Sequence, residues 1–252
     1  KEQIKDTKAI IAPLTIIHNG KEYLDEVTIT NTEVNNLLRD NAVLTTSQPS
    51  MGDILQQIEK EDLAQYDHVF VLPLSQYLSG TQRSYEQAFA QTDLTNFTII
   101  HTDTLVGPIQ YGIDTIIKLN NEGKSVEEIV EKLTTLFDST ESYVIPKTLK
   151  QLKASGRISS SAATMASLLK IKPILKLATH GANIDKFATA RTDAKAYSIV
   201  IEDMKKAGVN PQTHKMFFLH SEGEAYVDAF LDQLTQELGT FEYSISVLPA
   251  VL

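Results

Sequence analysis

Cysteine and tryptophan are both absent from this 252-residue chain. Without cysteine there is no disulfide, no thiolate metal ligand and no cysteine nucleophile, and a reducing cytoplasm is the expected location. No apolar run approaches the ~20 residues that a bilayer-spanning helix needs, so no stable membrane insertion is expected. Lys1–Lys8 is polar and does not read as a signal peptide. The usual nucleotide loops are missing, with no Gly-x-Gly-x-x-Gly and no Walker lysine motif. There is no Gly-x-Ser-x-Gly elbow for a hydrolase and no His-Glu-x-x-His pair for a metal. The six histidines, His18, His68, His101, His180, His214 and His220, are not tied by spacing to a serine and an acid. They read as surface or strand-end residues, and no catalytic residue or metal ligand is expected.

Composition is otherwise that of a globular protein: 42% hydrophobic and 22% charged. The length suffices for one large or two modest cores. The net charge of −9 argues against a nucleic-acid partner. The charge is uneven, however. Lys147–Lys195 holds ten bases and two acids, a local +8 that leaves −17 on the rest. Such a stretch is either a solvated face or a docking surface for an acidic or phosphate-bearing partner.

Apolar patterning gives the order of elements. Ile10–Ile17, Asn19-Gly20 and Lys21–Tyr23 form a hairpin pattern. Thr32–Leu38 reads as a short helix capped by Thr32. Ser50 with Asp53, and Ser125 with Glu128, read as capping boxes that open two more helices. His68–Leu74, Phe97–His101 and Ser142–Ile145 read as strands alternating with helices at Thr81–Gln91 and Gly107–Asn120, which predicts a parallel sheet. After a boundary near Pro146 the pattern is less regular. A helix over Thr148–Ala154 ends at a Gly156 cap, and Ser159–Ser161 opens another that ends near Leu169. Strands at Ile171–Leu177 and Asn183–Thr189 join through His180-Gly181, and two further strand–helix pieces follow. The expected fold is α/β in two domains: residues 1–146 with a parallel, Rossmann-like sheet, and 147–252 with a mixed one.

Two hydroxyl-rich loops, Thr45–Ser50 and Leu78–Thr81, each run into a helix. A helix start beside hydroxyls suits a phosphate or carboxylate, and the second loop follows a strand, where open α/β sheets bind ligands. Plain helix capping suits the same residues. Neither loop carries a base to activate a serine, so the pattern favours holding an acid over breaking a bond. A third feature is Ser155–Ser159 followed by a small-residue helix. Ile158, Ala162, Ala163, Met165, Ala166, Leu168 and Leu169 there suit either ordinary core or the lining of an apolar tunnel. Arg157 and Arg191 are fixed positive charges suited to a phosphate or carboxylate partner.

Taken together, Thr46-Ser47-Gln48-Pro49-Ser50, Leu78-Ser79-Gly80-Thr81, Gly156-Arg157-Ile158-Ser159, Leu169–Leu175 and Arg191 resemble the DegV family of bacterial fatty-acid-binding proteins in order and spacing. Pro13-Leu14, Tyr23 and Asp25 fit the family's early segment. The resemblance implies two α/β domains with one long-chain fatty acid between them. It implies that Thr46 and Ser79 hold the carboxylate with Ser47 and Gly80 nearby, and that the acyl chain runs past Ile158, Ala163, Ala166, Leu168, Leu169 and Ile174. It further implies a non-catalytic carrier, without a cofactor, that presents the acid to a fatty acid kinase for phospholipid synthesis. Arg157 and Arg191 would then dock the kinase. It also implies a strand ahead of Lys1, and a tail after Leu252 bearing a carboxylate-binding histidine that none of the six here replaces. Two alternatives remain: a phosphotransfer subunit related to dihydroxyacetone kinases, and a carrier of another apolar acid.

Overall fold

The computed structural model describes residues 8–165, 170–177 and 183–248. Its contacts divide the chain into two compact units, with the main break between Thr140 and Glu141.

In the first unit, strands β1 (Thr15–His18) and β2 (Lys21–Leu24) form the expected antiparallel hairpin. Asn19 and Gly20 both take positive φ, +52° and +77°, the conformation that a two-residue turn between twisted strands requires. Helix α1 (Asn31–Arg39) follows. Its cap is Thr30, two residues before the expected Thr32, because Thr30 and Glu33 form a reciprocal capping box. Strand β3 (Thr45–Ser47) then pairs antiparallel with the free edge of β1. The hydroxyl-rich segment expected as a loop is therefore partly an edge strand. Ile16, Ile29 and Val34 form the small core between this sheet and α1.

Helix α2 (Met51–Lys60) opens on the expected Ser50–Asp53 capping box. A 3₁₀ turn at Leu63–Gln65 leads to β4 (Val69–Val71), α3 (Thr81–Phe89) and β5 (Phe97–Ile99). β4 and β5 pair in parallel, as the alternation predicts. Parallel strand pairing goes no further in this unit among the described residues, since the three strands before it form their own antiparallel sheet. The Asn-Gly turn makes β1 and β2 antiparallel, because so short a connection can join only antiparallel neighbours. Ile54 and Ile58 of α2 meet Ala88 and Phe89 of α3 over Val71. Helices α4 (Val106–Asn121) and α5 (Val126–Asp138) follow, and Ile129, Leu133 and Phe137 of α5 close on Ile100. The Ser125–Glu128 capping box is present.

In the second unit β6 (Ser142–Val144), β7 (Lys172–Leu177) and β8 (Ile184–Ala190) form an antiparallel sheet. The pairing of β6 with β7 draws it into this unit and sets the contact boundary ahead of Pro146. Helix α6 (Lys150–Ser155) ends at Gly156 with φ +71°, the left-handed cap read from the sequence. Helix α7 (Ser160–Thr164) starts at its Ser159 cap. Its expected continuation to Leu169 and the His180-Gly181 turn lie outside the described residues. Helix α8 (Asp193–Lys206), β9 (Lys215–His220), α9 (Glu224–Leu238) and β10 (Glu242–Val247) complete the unit, with β9 and β10 parallel. The core gathers Ile174, Ala196, Val200, Ile201 and Leu234, and Tyr197 of α8 meets Phe230 of α9 edge-on at 5.3 Å.

A half-buried ionic group pins this sheet to α8. The Lys176 ammonium lies 2.9 Å from Glu141 and 3.1 Å from Asp203, over the rings of Tyr143 and Phe187. The Tyr143 hydroxyl donates to Asp203 at 2.6 Å. Burial opposes the Lys176 charge, but hydrogen bonds to the two carboxylates outweigh it and raise its pKa. The Tyr143 hydrogen bond, then Lys176, hold Asp203 below the ordinary carboxylate value.

Two outcomes follow. Ser50→Ala and Ser125→Ala should each lower stability by about 1 kcal/mol in urea titrations, the usual loss of a cap. Because Asp203 titrates lower when folded, its contribution is present above the unfolded carboxylate pKa of about 4 and disappears as pH falls through the folded value. Asp203→Asn should therefore be less stable than the parent at pH 7, with the gap closing in acid.

Candidate functional site

The parallel pair β4–β5 sets the position of the site. Both strands end at the same edge, and the segments leaving them are tied together. Ser75, fully buried, donates its amide to the Thr104 carbonyl at 3.0 Å, and the Thr102 hydroxyl donates to the Pro73 carbonyl at 2.6 Å. The Ser75 carbonyl then accepts the amides of Leu78 and Ser79, which turns the chain into α3. This turn presents Ser79. Its hydroxyl lies 2.7 Å from that of Thr81 and accepts the Thr81 amide at 3.3 Å. Gly80 itself has no side chain to cap α3, so beyond the Thr81 amide the first turn of the helix keeps amide donors of positive character beside two hydroxyls.

The second hydroxyl loop comes to the same place through Gln48. A Cβ at Gly80 would stand 2.7 Å from the Gln48 side-chain nitrogen and 2.9 Å from its amide carbon. Gly80 has an ordinary φ of −74°, so close approach, and no unusual conformation, is what requires glycine here. Within β3 the register separates the two candidate hydroxyls. Thr46 stands opposite Ile16, which is fully buried, while Ser47 stands opposite Thr15. Since directly paired residues share a face, Thr46 shares the inner face with Ile16 and Ser47 takes the outer one. The exposed Ser47 hydroxyl donates to the Gln48 carbonyl at 3.2 Å.

Sequence reasoning missed the polar bed under this site. Of the buried polar residues described, Ser75, Thr81, Gln82, Ser84, Thr102 and Thr104 all lie on α3 or on the segments that leave β4 and β5. Gln82 donates to Glu86 at 2.8 Å and reaches the ring nitrogen Nδ1 of His101 at 3.1 Å. Gln76 bonds Asp103 and the same ring nitrogen. The available signal was His101-Thr102-Asp103-Thr104, an unbroken polar run directly after an apolar strand.

The arrangement offers hydroxyl and amide donors to an oxygen-bearing ligand. The hydroxyl of Ser79 interacts with that of Thr81. Among the described residues no cluster of histidine and acid side chains could hold a metal ion, and no helix is long and apolar enough to cross a membrane.

The expected apolar lining belongs to the second unit. Ile158 is buried and bridges Ile184, Ala163 is half-buried on α7, and Ile174 is fully buried in the core under α8. Ala166, Leu168 and Leu169 lie outside the described residues. Arg157 donates to the Ser155 carbonyl at 2.7 Å and lies where the chain bridges the start of β8. Arg191 is exposed and follows the end of β8. Their backbones are therefore separated by the length of that strand, roughly 20 Å.

The comparisons with known proteins agree with this fold. A family model described as "Uncharacterised protein, DegV family" matches residues 1–252. A DegV domain-containing protein of Staphylococcus aureus is 27% identical over 252 residues, covering 100% of this chain and 89% of the relative. Another from Clostridium acetobutylicum is 35% identical over 185 residues, covering 72% of this chain and 64% of the relative. Among solved structures, "Fatty Acid Binding of a DegV family Protein from Thermus thermophilus" superposes with a TM-score of 0.81 at 31% identity, covering 95% of this chain and 85% of that one. The Streptococcus pneumoniae Fatty Acid Kinase (Fak) B3 protein, loaded with linoleic acid, has the same fold with a TM-score of 0.81 at 19% identity, covering 95% and 84%. With a match along its whole length and a two-unit fold shared with these structures, the chain belongs to the DegV family.

Proposed function

We propose that this protein is a non-catalytic carrier that binds one long-chain fatty acid and presents its carboxylate to a fatty acid kinase, which converts it to an acyl phosphate for phospholipid synthesis in the bacterial cytoplasm. The observation that carries the reading is the meeting of the two hydroxyl loops, with Gln48 lying on Gly80 beside Ser79 and the start of α3. Thr46 and Ser79 hold the carboxylate, with Ser47 and Gly80 at its margin. Ile158, Ala163, Ala166, Leu168, Leu169 and Ile174 are the proposed acyl-chain lining, and the protein itself needs no cofactor. Arg157 and Arg191 are the proposed kinase-docking charges. The Thermus relative, whose own description is fatty acid binding, supports the ligand class. The kinase step rests on the family resemblance and on the chemistry of the site.

That chemistry is consistent. An acid of about 16–18 carbons gains roughly 0.8 kcal/mol per buried methylene, so the acyl chain can supply the affinity and the head-group residues need only orient it. Hydroxyl and amide donors are neutral. They leave more electron density on the carboxylate oxygen than a lysine or arginine clamp would, which suits an oxygen that must attack a phosphorus atom.

Mass spectrometry of lipid released from the denatured, purified protein tests the ligand class. A stoichiometric long-chain fatty acid is expected. A different apolar acid, or a protein that is empty and takes up no added fatty acid, would overturn the assignment. Ser79→Ala and Thr46→Ala should each weaken binding of palmitic acid about tenfold, the loss of one hydrogen bond to a charged group. Gly80→Ala should displace the flexible Gln48 amide, weakening binding with little loss of stability, and adding Gln48→Ala should relieve the clash. Equal affinity in all four proteins would place the carboxylate elsewhere.

A further inference from the structure

Two polar atoms beside the start of α3 are buried with no hydrogen-bond partner among the described residues: the side-chain carbonyl oxygen Oε1 of Gln82 and the hydroxyl of Thr104. Gln82 is 3% exposed and Thr104 1%. Their neighbours are paired. Ser75 and Thr102 are bonded across the two strand ends, and Thr81 is bonded to Ser79. The amide nitrogen of Gln82 is committed twice, to Glu86 at 2.8 Å and to His101 at 3.1 Å. That nitrogen fixes the direction of the whole amide. Turning it over would set Oε1 against the Glu86 carboxylate, two acceptors with no proton between them.

Both atoms are tied to the turn that presents Ser79. Gln82 is the second residue of α3, directly after Thr81. The Thr104 carbonyl accepts the Ser75 amide, and the Ser75 carbonyl accepts the Ser79 amide. Gln76 and Gln82 stand on either side of the Ser79–Thr81 turn and reach the same nitrogen of His101. An unpaired buried carbonyl is costly. One placed in the first turn of α3, where the helix also keeps amide donors, points to a ligand atom that completes it.

The chemistry of the pair selects that atom. A side-chain carbonyl only accepts, whereas a threonine hydroxyl both donates and accepts. A carboxylate oxygen brings no proton to Gln82, and a plain acyl chain brings only C–H. An ammonium would serve Gln82 but leave the Thr104 proton without an acceptor. A hydroxyl serves both, donating to Gln82 and accepting from Thr104. The helix sets how far it stands from the carboxyl group. Consecutive Cα atoms are about 3.8 Å apart, so an acid held at the Ser79–Thr81 turn brings to Gln82 a group on the first carbons after its carboxyl. We propose that the first unit selects a long-chain fatty acid bearing a hydroxyl on carbon 2 or 3, with that hydroxyl lying between Gln82 and Thr104. Resting on the function proposed above, this ligand is the same class of acid with one further polar group beside its carboxylate.

The test is equilibrium binding to the delipidated full chain, read by displacement of a fluorescent long-chain fatty acid. Palmitic acid is compared with the separate enantiomers of 2-hydroxypalmitic and 3-hydroxypalmitic acid. At least one hydroxy acid should bind about tenfold more tightly than palmitic acid, the gain from pairing two buried groups. Gln82→Met and Thr104→Val nearly keep the side-chain volumes, and each should bring that ratio toward one. Each protein is its own reference, so a variant of lowered stability still reports the ratio, and if one variant fails to fold the other decides. Palmitic acid bound by the parent as tightly as every hydroxy acid would overturn the selection and leave the carrier function standing, since a water molecule would then satisfy both groups. A preference kept in full by either folded variant would overturn the placement between Gln82 and Thr104. A parent that binds none of these acids would remove the carrier reading, and the selection with it.

Discussion

The Gln48 amide lying against Gly80 is the contact on which the site depends. Gln48 leaves an antiparallel sheet built on a hairpin, and Gly80 opens a helix that follows a parallel strand. The two substructures have separate small cores, so neither alone dictates where the other's hydroxyls go. The missing Cβ at Gly80 lets the Gln48 side chain, and with it the first hydroxyl loop, approach the loop that carries Ser79. Beneath them, the Ser75–Thr104 and Thr102–Pro73 hydrogen bonds hold the turn that presents Ser79. Buried polar groups are expensive unless paired, and these two pairings tie the segments that leave β4 and β5 to each other.

The two hydroxyl loops themselves carry no charged residue. The hydroxyl site in the first unit uses neutral groups, while the bases concentrate in the second unit's segment of the sequence. The proposed carrier role makes two demands that conflict at a single place: to leave the acid's oxygen reactive and to attract a partner over distance. On that proposal neutral donors serve the first and the bases of Lys147–Lys195 the second, because long-range steering depends on net charge and little on contact geometry.

Much of the fold was legible because its signals are local. The Asn-Gly turn, the capping boxes at Ser50 and Ser125 and the Gly156 cap each lie within a few residues, and all are present. What failed to show was non-local. Thr45–Ser47 is polar and short, and only pairing with β1 makes it a strand. The β6–β7 pairing spans helices α6 and α7, so patterning left Ser142–Ile145 with the first half. The loops of the site were visible as hydroxyl-rich segments, yet their meeting through Gln48 and the buried bed of Thr102, Thr104 and Gln82 depend on packing that no spacing encodes. Arg157 and Arg191, both proposed for docking, stand at opposite ends of the extended β8.

The central claim is that the first unit's hydroxyl site holds a carboxylate. A crystal structure of the protein with bound palmitic acid tests it most directly. The account predicts the carboxylate oxygens within hydrogen-bond reach of the Ser79 and Thr46 hydroxyls, with Gln48 still lying on Gly80. A carboxylate held by Arg157 or Arg191, or an acyl chain whose head group is remote from α3, would contradict it.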